Sequence, residues 1–294
     1  MATATASAVL GVVGGSGIYQ LDGLVDARWQ VVKSPFGRPS DALLFGSLGG
    51  VDCVFLPRHG RGHRIPPSEI DYRANIDALK RAGVTDLISV SACGSLREDL
   101  APGCFVLVDQ FVDRTSARAQ TFFTRGCVAH VSMADPVCAR LHDALEAAAA
   151  ERDIALVRGG TYLAIEGPHF SSRAESHLYR AWGCDVIGMT NLPEAKLARE
   201  AELCYASVAM VTDYDCWKPE EQAVAVAEIL AVLASNAERG RALVATLPKH
   251  LEGRPVPCPS GCDRALDGAL ITPRVARDPE LVARLDAVAG RVLG

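Results

Sequence analysis

The segment Cys204-Tyr205-Ala206-Ser207-Val208-Ala209-Met210-Val211-Thr212-Asp213-Tyr214-Asp215-Cys216-Trp217 decides the fold. Its first part is apolar or small at every position, without the alternation of a half-exposed strand, so it reads as a strand buried on both faces. That strand runs directly into two carboxylates. In an extended chain, residues two apart face the same side at roughly 6 to 7 Å, so Asp213 and Asp215 are expected to reach one planar ligand. Two acids so close raise the cost of ionising both, which pushes one toward the acid form and makes it a proton donor near neutral pH.

The same pattern, an apolar run ending in polar groups, recurs along the chain. Further strand-like runs are Val9 to Val13, Asp52 to Pro57, Thr85 to Ser91, Cys104 to Val108, Thr161 to Ile165 and Asp185 to Gly188. Helix start signals lie between them. Asp135-Pro136 precedes a stripe of Leu141, Ala144, Leu145 and Ala148, Ser172 to Glu175 has capping-box spacing, and Pro193-Glu194 and Pro219-Glu220-Glu221 open two more helices. The reading is α/β throughout, with a sheet covered on both faces and functional groups gathered in loops at strand ends. Residues 248–294, Pro-rich and then amphipathic from Asp278-Pro279, read as a tail packed on one domain spanning 1–294.

Composition narrows the function. With 49% hydrophobic and 22% charged residues, 294 residues can bury a large core, and a net charge of -5 disfavours nucleic-acid and membrane-surface partners. The early apolar run from Ala8 to Val13 is about half of a spanning helix and has no basic residue before it, so a cytoplasmic location is expected. Most of the ten cysteines sit in apolar runs and read as small core residues. Cys258 and Cys262 stand together in a Pro-rich loop with only His250 nearby, short of the four ligands of a structural zinc site, so no metal is expected. A local disulfide is disfavoured in a reducing cytosol.

The strand-end motifs form a set. Gly14-Gly15-Ser16-Gly17 follows the first strand, Arg58-His59-Gly60 the second, Ser91-Ala92-Cys93-Gly94-Ser95 the third, and Gly188-Met189-Thr190 another. Glycines permit close backbone approach, hydroxyls and amides solvate oxyanions, and a guanidinium fork matches a phosphate. Any one of these could be an ordinary solvated loop; together they suit a small oxyanion. A dinucleotide fingerprint would need glycine where Gln20 stands, and a Walker loop would need Gly-Lys-Ser/Thr, which is absent.

These motifs, with Ser34-Pro35-Phe36-Gly37, Asn75, Asp109-Gln110-Phe111, Glu166-Gly167-Pro168, Phe170-Ser171-Ser172-Arg173-Ala174-Glu175 and Pro193-Glu194, resemble the trimeric purine nucleoside phosphorylase family from Gly11 to about Thr246. Within it they are most similar to the methylthioadenosine phosphorylase branch. The resemblance implies a single domain with a central mixed β-sheet flanked by helices, and a pentosyltransferase that uses inorganic phosphate as co-substrate with no cofactor. It implies a phosphate site from Ser16, Arg58, His59, Ser91, Ala92 and Thr190. It further implies Phe170 against the base, Met189 against the ribose, and Asp213 with Asp215 on the purine edge, Asp213 being catalytic. Ser171 and Val226 would help to set specificity, and His130 would close the 5′ pocket of a neighbouring subunit in a homotrimer. Ser16 and Ser91 stand where threonine is frequent, and His169 where arginine is.

A carboxylate accepts from a 6-amino group and faces a 6-oxo group unfavourably, so the pair points to adenine. A phosphorylase of 6-oxopurine nucleosides, a hydrolytic nucleosidase, a dinucleotide oxidoreductase and a catalytically dead nucleoside-binding module are the alternatives.

Overall fold

A computed structural model describes residues 4–15, 17–18, 21–218 and 226–294, without the side chains of 226–230. The expected positions Ser16 and Pro219-Glu220-Glu221, and the side chain of Val226, lie outside the described residues. In chain order the elements are β1 (Ala4–Ala6), β2 (Val9–Gly14), β3 (Val25–Gln30), β4 (Leu43–Leu48), β5 (Val51–Pro57), α1 (Tyr72–Arg81), β6 (Asp86–Ser95), β7 (Phe105–Val108), β8 (Gln110–Arg114) and α2 (Ala139–Glu151). They continue with β9 (Leu156–Arg158), β10 (Thr161–Ile165), α3 (Arg173–Ala181), β11 (Val186–Gly188), α4 (Asn191–Glu200), β12 (Cys204–Asp213), α5 (Val226–Thr246), β13 (Arg254–Val256), α6 (Pro279–Arg284) and α7 (Asp286–Leu293).

Among the described residues one sheet holds eleven strands in the order β3-β4-β5-β2-β6-β11-β10-β8, with β12 pairing β6 and β7, and β7 pairing β9. It is mixed: β2 runs parallel to β5 and β6, and β6 to β12, whereas β11 runs antiparallel to β6. Period-2 alternation in the central strands feeds two cores. Tyr205, Ala209 and Val211 join α1, α4, α6 and α7 on one face; Ala206, Val208 and Met210 join α2 and α5 on the other. Both faces are therefore covered, as the unbroken apolar run of β12 requires.

The helix expected at Asp135-Pro136 begins later, at Ala139. Cys138 stays extended, with φ -89° and ψ 113°, because its N–H donates to the Tyr205 carbonyl at 2.8 Å. Leu141, Ala144, Leu145 and Ala148 are all buried and form the apolar stripe of α2. The capping box at Ser172 and Glu175 forms, satisfying N–H groups that the first turn of α3 leaves unpaired. From Pro193 onward α4 is regular, after Leu192 leaves the helical region at φ -122° and ψ 135°. The tail joins both cores, through Leu266, Leu281, Leu285 and Val288 on one face and Cys258 and Cys262 on the other. No helix among the described residues is long and apolar enough to cross a membrane.

One detail of register places the site. β2 pairs with β6 up to Gly14 against Val90, and β11 pairs with it from Gly94 onward on that same side. Between them Ser91, Ala92 and Cys93 have β12 on one side and, among the described residues, no strand on the other. A sheet edge opens there in the middle of the molecule, and its amide groups are available to a ligand.

Candidate active site

A cavity of about 550 Å³ occupies this opening. Its lining includes Arg58 and His59 from the end of β5, Ser91, Ala92 and Gly94 from β6, Phe170 and Ser171, Met189 and Thr190 from the turn after β11, and Asp213 and Asp215 after β12. β11, antiparallel to β6, runs from Gly94 back toward the open edge and so delivers Met189 and Thr190 beside Ser91. Residues scattered over more than 150 positions of sequence thus meet because β5, β6 and β12 end on the same side of a partly parallel sheet.

The Arg58 guanidinium is 1% exposed. Its Nε donates to Glu194 Oε2 at 2.8 Å, Nη2 to Ser89 Oγ at 2.7 Å and to the Val13 carbonyl at 3.2 Å, and Nη1 to the Val90 carbonyl at 3.3 Å. Most of the fork is thus committed to Glu194 and to the ends of β2 and β6. Glu194, buried at 2%, also accepts from Tyr205 Oη at 3.0 Å. Truncating either partner would strand a buried charge at about 3 to 5 kcal/mol. Arg58 therefore ties the ends of β2 and β6 to α4 at this end of the cavity, its charge matched by that of Glu194.

His59 donates or accepts at Nδ1 toward the Ile65 carbonyl at 2.9 Å, and a carbonyl can only accept, so Nδ1 carries the hydrogen. Burial, followed by the charge of Arg58, holds the imidazole down to about 4, so the ring is neutral near pH 7 with Nε2 as an acceptor. His63, which also lines the cavity, stacks on it at 4.2 Å. Thr190 and Asn191 open α4; Asn191, fully buried, has its Oδ1 3.4 Å from the hydroxyls of both Ser89 and Ser91.

At the other end stand the acids. The strand alternation expected to align them is not what does so. The β6–β12 register shifts between Val211 and Asp213, a bulge that turns the strand end, and Asp215 takes a left-handed conformation at φ 51°. The Asp215 N–H donates to Asp213 Oδ1 at 2.8 Å and the Thr212 hydroxyl to Asp213 Oδ2 at 2.6 Å. Tyr214 and Trp217, edge to face at 5.8 Å, face the core; Tyr214 Oη donates to the Glu98 carbonyl at 3.1 Å and Trp217 Nε1 to the Ser95 carbonyl at 2.8 Å. Burial, with the charge of Asp213 adding to it, raises the Asp215 carboxyl above its ordinary range. Phe170, at 85% exposure, lies open on the cavity wall.

His130 is not among the lining residues: it is exposed and its N–H donates to the Ala269 carbonyl at 2.9 Å. Sequence reasoning missed Glu194 as the partner of Arg58, although the residue had been noted as a helix opener. It also missed Arg118, which is buried and donates to the carbonyls of Met189 and Leu192, both at 2.6 Å, and to Glu166 Oε1 at 3.0 Å. An arginine in a loop carries no periodic signal, so only the fold reveals it. Leu233 and Ala237 of α5, one turn apart, add an apolar wall.

The geometry has close counterparts. A model of the phosphorylase superfamily matches residues 9–248. The S-methyl-5′-thioadenosine phosphorylase of Bradyrhizobium diazoefficiens is 64% identical over 286 residues, covering 97% of this chain and 98% of its own. That of Rhodospirillum rubrum is 59% identical over the full length of both. Among solved structures, a methylthioadenosine phosphorylase from an antarctic soil metagenomic library superposes with a TM-score of 0.89 at 46% identity, covering 96% of this chain and 99% of its own. The Schistosoma mansoni methylthioadenosine phosphorylase in complex with adenine gives 0.77 at 42% identity, covering 83% and 91%. A cavity set at an open sheet edge between Arg58 and Asp213, together with these matches over nearly the whole chain, shows that the chain belongs to the phosphorylase superfamily.

Proposed function

We propose that the chain cleaves the N-glycosidic bond of S-methyl-5′-thioadenosine with inorganic phosphate, giving adenine and 5-methylthioribose 1-phosphate, a reaction of purine and methionine salvage. The observation that carries this reading is one cavity with an oxyanion-suited end, Arg58, His59, Ser91, Ala92 and Thr190, and a paired-acid end, Asp213 and Asp215. As the bond breaks, the sugar gains oxocarbenium character and the purine gains electrons, so the reaction needs an anion beneath the sugar and a proton for the base. Phosphate bound at the first end supplies the anion and attacks the anomeric carbon. Asp213 delivers a proton to N7 while Asp215 meets the 6-amino group, so the base leaves neutral.

Phe170 stacks on the purine and Met189 packs on the ribose, while Ser171 and Val226 tune specificity. The buried Ser171 Oγ has no hydrogen-bond partner among the described residues, which fits a group held for a ligand. Ser16 completes the phosphate site, and phosphate is the only co-substrate the reaction requires. The apolar wall of Leu233 and Ala237 suits a methylthio group better than a hydroxyl. The enzyme acts in the cytoplasm as a homotrimer in which His130, which does not line its own cavity, closes the 5′ pocket of a neighbour.

The test is product analysis: methylthioadenosine with phosphate yields adenine and the sugar 1-phosphate, and release of adenine at the same rate without phosphate would overturn the reading. One observation favours a second substrate class. Burial raises the Asp215 carboxyl above its ordinary range, and a protonated carboxyl would donate to a 6-oxo group, so inosine turnover within tenfold of methylthioadenosine would move the assignment to 6-oxopurines.

A further inference from the structure

Four cysteines distant in sequence converge far from the cavity. Cys138 caps α2, Cys204 opens β12, and Cys258 and Cys262 flank a turn in the tail in which Gly261 takes φ 66°. The sequence reading that left Cys258 and Cys262 without partners is corrected here: all four are buried and their sulfurs lie within 4.8 Å of one another. Cys138 Sγ stands 3.7 Å from Cys258 Sγ, and none of the four is in a disulfide. A disulfide needs about 2.05 Å between sulfurs. A tetrahedral zinc with Zn–S near 2.3 Å instead sets them about 3.8 Å apart, the edge of the tetrahedron.

The surroundings suit the charge of such a centre. Zn²⁺ displaces one proton from each thiol, and four thiolates around it leave a net charge near -2, which in a buried site needs a cation nearby. Arg254 supplies one: its Nη2 lies 3.8 Å from Cys204 Sγ, and its Nε 3.3 Å from Asp86 Oδ2. Asp263, which could compete as a ligand, is turned away and accepts the Cys258 N–H at 3.0 Å on both oxygens. A donor set of sulfur alone selects a soft or borderline ion over magnesium or calcium, and four ligands leave no open position for catalysis. The nine steps of β12 from Cys204 to Asp213 put the cluster roughly 30 Å from the acids.

We propose that Cys138, Cys204, Cys258 and Cys262 form a closed tetrathiolate site for one structural Zn²⁺, which fastens the tail to α2 and β12. The tail carries no long helix between Thr246 and Pro279, so a metal clip would supply there the order that apolar packing alone supplies elsewhere.

The test uses full-length, tag-free protein purified under reducing conditions without chelator. Elemental mass spectrometry is expected to find about one zinc per chain. After removal of zinc, added Co²⁺ is expected to give the visible d–d bands and near-ultraviolet charge-transfer band of tetrahedral thiolate coordination. Cys258→Ser and Cys262→Ser, both in the loop, should each lower zinc content and cobalt absorbance at least tenfold and speed proteolysis of the tail. Should these variants fail to fold, the metal content and cobalt spectrum of the native chain decide alone. Less than a tenth of a zinc per chain, iron in its place, or an intact mass showing disulfides among these cysteines would overturn the proposal.

Discussion

Gly94 and Asp213 are partners across the β6–β12 pairing, and a β-carbon added at Gly94 would stand 3.1 Å from Asp213 Oδ1. The same atom would meet Ile187 Cγ2 at 3.1 Å and Asp215 Cβ at 3.4 Å. Asp213 has little room to give, because both of its oxygens are held, by Thr212 and by the Asp215 N–H. Gly94→Ala is therefore expected to misplace the acid pair by tenths of an ångström. A 1 Å misplacement costs on the order of 100-fold in rate, so a shift of tenths should lower kcat by roughly several-fold while phosphate KM and Tm stay close to native. An unchanged kcat would show that the contact does not matter.

Asp213→Asn should remove most turnover, about 100-fold or more, because an amide cannot deliver the proton. Asp215→Asn should act differently. Asparagine tolerates φ near +51°, so the turn survives, and an amide both donates and accepts. The expected outcome is a smaller loss on methylthioadenosine and a rise in the ratio of inosine to methylthioadenosine turnover. Equal losses on both substrates would remove Asp215 from specificity.

How much of this was legible in the sequence differs from residue to residue. The buried strand before Asp213 and the strand-end motifs could be read because an apolar run has only one use in a covered sheet. The cavity itself could not, since it depends on β2 leaving β6 at Val90 and β11 joining at Gly94, a pairing choice that leaves no local mark. The bulge at Thr212 and the left-handed Asp215 likewise replace the simple alternation expected there. Glu194 and Arg118 were hidden for the same reason: their partners lie 136 and 71 positions away. Cys138 and Cys204 looked like core residues, and so they are, until Cys258 and Cys262 fold in beside them.

His59 bears on which anion fits. With Nδ1 donating to Ile65, its neutral ring offers Nε2 as an acceptor, which matches the hydroxyl of hydrogen phosphate and has nothing to accept from sulfate. Sulfate should bind at least tenfold more weakly than phosphate, and arsenate should support turnover. In His59→Phe the gap between phosphate and sulfate should narrow. A native chain that binds both anions equally would refute the assignment.

Arg118 positions rather than reacts. Its donors pin the carbonyls of Met189 and Leu192, and its ion pair with Glu166 reaches the loop that carries Phe170. Arg118→Met would leave those buried carbonyls unpaired, at about 1 to 3 kcal/mol each, and lower Tm by several degrees. Arg118→Lys keeps a charge without the fork. It should recover part of the stability yet still raise the KM for methylthioadenosine, since a single ammonium cannot hold both segments. Native KM in the lysine variant would make the residue merely structural.

Glu200 gives the fold a pH dependence separate from the chemistry. It is buried, accepts from the Thr121 hydroxyl at 2.6 Å and the Phe122 N–H at 2.7 Å, and burial pushes its carboxyl up to about 7 despite those bonds. The unfolded chain would titrate it near its ordinary value of 4.5, so between these values the folded state holds the extra proton. The stability it contributes is complete below pH 4.5 and is lost as pH rises through 7, a change on the order of 3 kcal/mol. His59 runs the other way: held down to about 4 from 6.5, it destabilises the fold as pH falls below 6.5. The two windows overlap between pH 4.5 and 6.5 and offset each other there, so native Tm should stay near its maximum across that range and fall on either side of it. Glu200→Gln keeps a neutral side chain whose oxygen takes the Phe122 N–H, while the Thr121 hydroxyl turns to the Phe123 carbonyl, already 3.3 Å away. The variant should lose the alkaline limb and exceed the native Tm at pH 8 but not at pH 5. Parallel Tm profiles of the two proteins would show that Glu200 does not carry the effect.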